Sequence, residues 1–188
     1  MNALQVLIFT LIDVYGFILI LRAWFQFSRV DFYNPLSQGL VKITQPILSP
    51  LRTFIPTIKH IDLSALIFAF LLFSIKFPLA HFVGNLFISN ADMLDYAFIG
   101  LLTLVRTCGK AIFYVLLLGA IMSWFNRSPN PMQFVLHQLT TPLLNPIQRI
   151  LPNTGMIDFS PMLLAFALFF LDKVLLDLFG VYWLLASY

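Results

Sequence analysis

The chain has no glutamate, a single cysteine and three histidines among 188 residues, and only 10% of it is charged. Each shortage excludes something. Cys108 stands alone, so neither an intramolecular disulfide nor a cysteine-based metal spacing can form, and a free, inert thiol is expected inside an apolar run. His60, His81 and His137 belong to no His-Glu-x-x-His run and no Ser/His/Asp set. A glycine-rich phosphate loop and a dinucleotide fingerprint are also missing. The chain reads as a non-enzyme that needs no metal or cofactor. Haem ligation by His81 or His137 is a weaker alternative.

Apolar residues take the space that charge leaves. Hydrophobic residues make up 60% of the chain and Phe alone occurs 21 times, against roughly 45–50% apolar and about 25% charged residues in a soluble domain. A soluble fold of this length cannot hide that much apolar surface, so lipid must cover the rest. A helix needs ~20 apolar residues to cross a bilayer. Four stretches qualify: 3–21, 63–83, 97–125 and 161–185. The third is longer than required, which predicts a tilt, a kink at Gly109 or an extension beyond the membrane. The first run has no preceding Lys or Arg, and Arg22-Ala23-Trp24-Phe25-Gln26 follows it where a cleavage site would need small residues. It is therefore expected to stay as a span.

The placement of the bases predicts topology. Arg22, Arg29, Lys42, Arg52 and Lys59 flank or occupy the first long loop, and Arg127 and Arg149 the second. The loop from Gly84 to Tyr96 has Asp92 and Asp95 but no base, and neither terminus carries one. The excess of Lys and Arg puts loops 22–62 and 126–160 in the cytoplasm, with both termini outside. Trp24 and Trp124 then fall at the inner interface, and Tyr96, Tyr182 and Trp183 near the outer one. The net charge of +3 is a topology signal and not evidence for nucleic acid.

The two long loops are copies of one another. Pro35, Pro46, Pro50 and Pro56 lead into Ile61-Asp62-Leu63-Ser64, and Pro131, Pro142, Pro146 and Pro152 lead into Ile157-Asp158-Phe159-Ser160, at a constant offset of 96. Upstream, Ala23-Trp24-Phe25 matches Ser123-Trp124-Phe125 at an offset of 100. Two repeats, 1–96 and 97–188, follow from this pattern. The expected fold is an all-α membrane protein with four transmembrane helices in two tandem repeats, each with a proline-broken amphipathic cytoplasmic segment.

Those segments cover 35–56 and 131–152. Asn34-Pro35, Ser49-Pro50, Asn130-Pro131 and Asn145-Pro146 each read as a cap followed by a first-turn proline. Short helices of about two turns are expected, with the other prolines as breaks. Leu36, Leu40 and Ile43 share one face, away from Ser37, Gln38 and Lys42. Two placements are open: flat in the interface, basic side chains near anionic headgroups, or a re-entrant hairpin packed between spans. Pro46, Pro50, Arg52, Pro56 and Asp62, with Pro142, Pro146, Arg149, Pro152 and Asp158, are the candidate partner-binding residues. Asp62 and Asp158 have a structural reading too, as caps on the helices that follow.

Asp13, Lys76, Arg106, Lys110, Asp172, Lys173 and Asp177 fall within the expected spans. Each costs about 2.5–3.5 kcal/mol near the bilayer centre, so they should face one another or water. Depth pairs Asp13 with Lys76, Arg106 with Asp177 and Lys110 with Asp172, with Lys173 left over. Such pairs either fix helix packing or line an ion pathway. The lipid bilayer is the certain surrounding; a membrane-protein partner or a second copy is an open expectation.

Trp24 and Trp124, the pairs Pro46/Pro50 and Pro142/Pro146, Pro56, Pro152 and the Ile-Asp-x-Ser ends resemble the YggT family of bacterial membrane proteins. The likeness covers the whole chain and is to the two-repeat, Gram-negative form. It implies a small integral inner-membrane protein. Plastid relatives are tied to assembly of a b-type cytochrome and to nucleoid distribution, Gram-positive relatives are encoded near division genes, and two-repeat members are linked to osmotic-stress tolerance. The resemblance therefore implies a membrane scaffold, assembly helper or envelope-stress factor. The alternative is an ion or osmolyte transport component using the charges in the spans.

Overall fold

The computed structural model describes residues 2–31, 33–53, 55, 61–84, 91–125, 131–151 and 158–188. Pro56, Lys59, His60, Arg127, Asn130 and Pro152 lie outside the described residues, as does the side chain of Trp124. Seven helices follow in order: α1 (Ala3–Phe27), α2 (Pro35–Leu51), α3 (Leu63–Gly84), α4 (Met93–Phe125), α5 (Pro131–Ile150), α6 (Ser160–Phe179) and α7 (Val181–Leu185). No strand occurs among the described residues.

Three of these helices are long and apolar enough to cross a membrane: α1, residues 63–83 of α3 and residues 93–122 of α4. Helix α6 has 20 residues but carries Asp172, Lys173 and Asp177, which sets it apart from those three. Helix α1 begins with a capping box: the Asn2 side chain accepts from the Gln5 amide at 2.9 Å, and the Gln5 side chain accepts from the Asn2 amide at 2.8 Å. It runs six residues beyond the expected end at Leu21 and stops where Arg29 adopts a left-handed φ of 52°. Helix α4 is continuous through Gly109 for 33 residues, about 50 Å at about 1.5 Å per residue. The helix is therefore not interrupted at Gly109.

The central core joins α1, α3 and α4. Leu19, Ile20 and Ala23 of α1 meet Ala65, Ala69 and Phe73 of α3 and Ala111 of α4, with Leu48 of α2 closing one end. Small residues bring the helices close. A Cβ on Gly100 would lie 2.7 Å from the Ser74 amide nitrogen and 2.8 Å from its Cα, so α3 and α4 touch backbone to backbone. Near the same end as α2, Val135, Leu136 and Leu139 of α5 pack with Val115 of α4 and Val30, beyond the end of α1. Helices α2 and α5 thus sit at one end of the bundle.

Two expectations are corrected. Helices α2 and α5 are not broken by Pro46, Pro50, Pro142 or Pro146; each runs straight through its pair. Ser49 and Asn145 are therefore interior residues and not caps. All four prolines lie on exposed positions, so the carbonyls that lose an amide partner face outward, where water or headgroups can satisfy them. The second correction concerns 161–185, which is not one helix. Gly180 adopts φ +51°, open chiefly to glycine, and α6 ends at Phe179. The short α7 then folds back. Phe98 stacks edge-on with Phe179 and Tyr182, and Tyr182 donates to Asp95 at 2.9 Å.

Candidate functional site

Helix α2 divides into three sectors. Ser37, Thr44 and Leu48 are buried toward the bundle. Leu36, Ile43 and Ile47 form an apolar sector that nothing in the described chain covers. Gln38, Lys42, Gln45 and Ser49, with Val41 and Pro46, line a shallow groove of about 640 Å³. The positions recur every three or four residues, so each sector is a continuous stripe along the helix. Three stripes suit a helix with protein on one side, hydrocarbon on another and water on a third.

An ion-pair node pins this helix down. Arg22 Nε donates to Asp62 Oδ2 at 3.2 Å, its other nitrogens reach the Thr44 hydroxyl and Gln45 Oε1 (3.0 Å to the latter), and Arg52 donates to the same Asp62 Oδ2 at 2.5 Å. Ser64 Oγ donates to Asp62 Oδ1 at 2.6 Å and the Ala65 amide at 3.3 Å, so Asp62 also caps the start of α3. The carboxylate is wholly buried and Arg22 is 6% exposed. One carboxylate thereby joins α1, α2, the end of α2 at Arg52, and α3. Burial pushes the Asp62 carboxyl up, but the Ser64 and Arg52 hydrogen bonds and the Arg52 charge outweigh it and hold the group below its ordinary value.

The second copy keeps the carboxylate and loses both cations. Offsets of 100 and 96 put Met122 where Arg22 stands and Gln148 where Arg52 stands. Gln148 Nε2 donates to Asp158 Oδ2 at 2.8 Å, and the Ser160 amide donates to Asp158 Oδ1 at 2.9 Å. Asp158 is exposed. Its carboxyl also lies below the ordinary value, through Ser160 first, against a smaller upward push from burial. A backbone amide and a side-chain donor on the carboxylate are retained, but α6 starts without a side-chain cap and the buried charge cluster is lost. Arg149, the basic candidate in this loop, is exposed and stands one position beyond the true counterpart of Arg52.

Among the charges inside the helices, Lys76 Nζ meets Asp13 Oδ1 at 2.5 Å and lies 4.7 Å from the centre of the Phe9 ring. The lysine side chain is 2% exposed and the aspartate 41%. The pairing of Arg106 with Asp177 and of Lys110 with Asp172 is corrected: Arg106 pairs with Asp172, at 3.5 Å. The fold-back at Gly180 is the reason. It inserts Trp183, whose carbonyl accepts from Arg106 at 2.7 Å, whose indole donates to Asp172 at 3.1 Å, and whose ring lies 5.0 Å from the guanidinium. Trp183 is buried between α4 and α6. Lys110, Lys173 and Asp177 are exposed and make no ion pair among the described residues.

Arg22, Thr44, Gln148 and Trp183 are the contributors that spacing alone did not single out. The offset of 96 that aligns the prolines also aligns Arg52 with Gln148 and Thr44 with Thr140, so part of the node was encoded in the repeat itself. His81 lies in α3 and His137 in α5, on separate helices, and Cys108 is partly buried beside the core. No cluster of three His, Cys, Asp or Glu side chains suited to a metal occurs among the described residues.

The CCB3/YggT family matches residues 1–83 and 98–179, two segments that each contain one proline-ruled helix. An uncharacterized protein of Haemophilus influenzae is 45% identical over 178 residues, covering 95% of this chain and 94% of that one. The uncharacterized protein YggT of Escherichia coli is 44% identical over 176 residues, 92% of this chain and 88% of its own. An uncharacterized protein of Vibrio alginolyticus encoded in the proC 3′ region is 42% identical over 186 residues, 97% and 98% of the two chains. No solved structure matches. The chain belongs to the CCB3/YggT family.

Proposed function

We propose that this protein is a non-enzymatic scaffold of the bacterial inner membrane, with four spans in two tandem repeats, that holds a membrane-protein partner against the polar stripe of α2. In this reading α6 is the fourth span, both proline-ruled helices lie flat at the cytoplasmic interface, and the role is assembly or tolerance of osmotic stress on the envelope. The observation that carries the reading is the three-way division of α2. Its apolar stripe at Leu36, Ile43 and Ile47 suits lipid, and its groove at Gln38, Lys42, Gln45 and Ser49 is left open on the opposite side. The node at Asp62 then acts as the fastening that holds the stripe at a fixed angle to the bundle.

Transport is the less favoured function. Its support is the pair Asp13–Lys76 and the pair Arg106–Asp172. Two depressions lie away from these pairs: one of about 390 Å³ is lined by Phe70, Leu94, Ala97, Phe98 and Leu101, all apolar, and the other is the groove on α2.

A photo-crosslinking amino acid at Gln38, Lys42 or Ser49 is expected to give one discrete protein adduct in native membranes, read by gel shift and mass spectrometry. The same residue at Ile43 or Ile47 should give lipid adducts only. Equal protein adducts from both stripes, or none from the polar stripe in inserted protein, would remove α2 as a docking surface.

A further inference from the structure

The outward face of α6 carries charge where a spanning helix should carry none. Met162, Phe166 and Phe170 are 67%, 67% and 65% exposed, and Lys173 and Asp177 continue the same stripe at spacings of three and four residues. Neither charge has an ion-pair partner among the described residues, although Asp172 on the adjoining face is held by Arg106 and Trp183. If α6 crosses the membrane, as the four-span reading above has it, hydrocarbon is a poor surrounding for both groups.

We propose that a second copy of this chain covers the stripe, with Lys173 of each copy paired to Asp177 of the partner subunit. The stripe is self-complementary, and that decides for a second copy over a lipid surface. A two-fold axis along the membrane normal keeps every residue at one depth in both copies. Positions 173 and 177 are about one helical turn apart, roughly 6 Å in rise, within the length of a lysine side chain. The contact therefore closes with two equivalent ion pairs, flanked by Met162, Phe166 and Phe170 from both copies. This seam is separate from the α2 groove, and it would give each dimer two scaffolding faces at the same membrane surface.

The test uses the full chain in lipid nanodiscs, tagged two ways and co-expressed, with subunits counted by single-molecule bleaching. Wild type is expected to carry two copies per particle. Lys173→Asp alone and Asp177→Lys alone should each lower the two-copy fraction at least tenfold. Co-expressing the first variant with the second should restore a mixed pair, because two acidic side chains on one copy then face two basic ones on the other. A repair within one chain cannot produce that result. One copy per particle in wild type, or a mixed pair no more frequent than either variant alone, would overturn the proposal. Single cysteines at Met162 and Tyr188, in a Cys108→Ser background, separate this failure from failure of the span. Labelling from opposite sides upholds the crossing; labelling from one side overturns it and the seam together.

Discussion

Asp62→Ala is expected to cost about 3–5 kcal/mol, because it leaves the buried Arg22 guanidinium, and the partly exposed one of Arg52, without their carboxylate. Arg22 loses its Nε partner, Arg52 loses its ion pair with Asp62, and α3 loses the acceptor for the Ala65 amide. Asp158→Ala removes a carboxylate at the matching position but leaves no buried cation behind, so its cost should stay at about 1 kcal/mol, the scale of an exposed hydrogen bond. Unfolding titrations in mixed micelles measure both. Acid titration provides the complementary readout. The folded Asp62 carboxyl lies below its ordinary value, so its contribution is complete above about pH 4 and is lost as pH falls through the folded value. Asp62→Asn should therefore flatten the acid limb of the stability profile. Equal costs at Asp62 and Asp158 would show that the two copies are fastened alike, against the geometry described above.

The second large effect is expected at Asp13. Lys76 is enclosed, paired with Asp13 and lying over the face of the Phe9 ring, whereas Asp13 is half exposed. Removing the aspartate strands a buried ammonium, so Asp13→Leu should cost about 3–5 kcal/mol. Lys76→Met strands a carboxyl that can take up a proton, and should cost clearly less. The double variant should recover most of the stability lost by Asp13→Leu, because an apolar pair of similar volume needs no counter-charge. The coupling energy from the four proteins isolates the pair. A double variant as unstable as Asp13→Leu would mean that the charges serve something other than each other.

The helices, their apolar character and the meeting of Asp13 with Lys76 were legible in the sequence because each rests on a local or depth rule. Apolar run length places α1, α3 and α4, and Asn34-Pro35 places the start of α2. The errors share a cause as well. The prolines at 46, 50, 142 and 146 were read by their usual effect on a buried helix, yet all four stand on exposed positions where the freed carbonyls need no amide. Depth counting assumed a straight helix from 161 to 185, so one glycine at 180 was enough to displace Asp172 and to bury Trp183. Arg22 reads in the sequence only as a topology signal, because its partners lie 22 and 40 residues away. Only the fold brings Thr44 and Asp62 to it.

The account as a whole turns on how α2 lies. In a Cys108→Ser background, single cysteines at Leu36, Ile43, Ile47, Gln38, Lys42 and Ser49 can be tested with a membrane-impermeant thiol reagent added to either side of sealed vesicles. Labelling of 38, 42 and 49 is expected from the cytoplasmic side alone. Positions 36, 43 and 47 should react only with a lipid-soluble reagent. Labelling of the polar stripe from the periplasmic side, or protection of all six positions, would put α2 inside the bundle and contradict the interfacial placement.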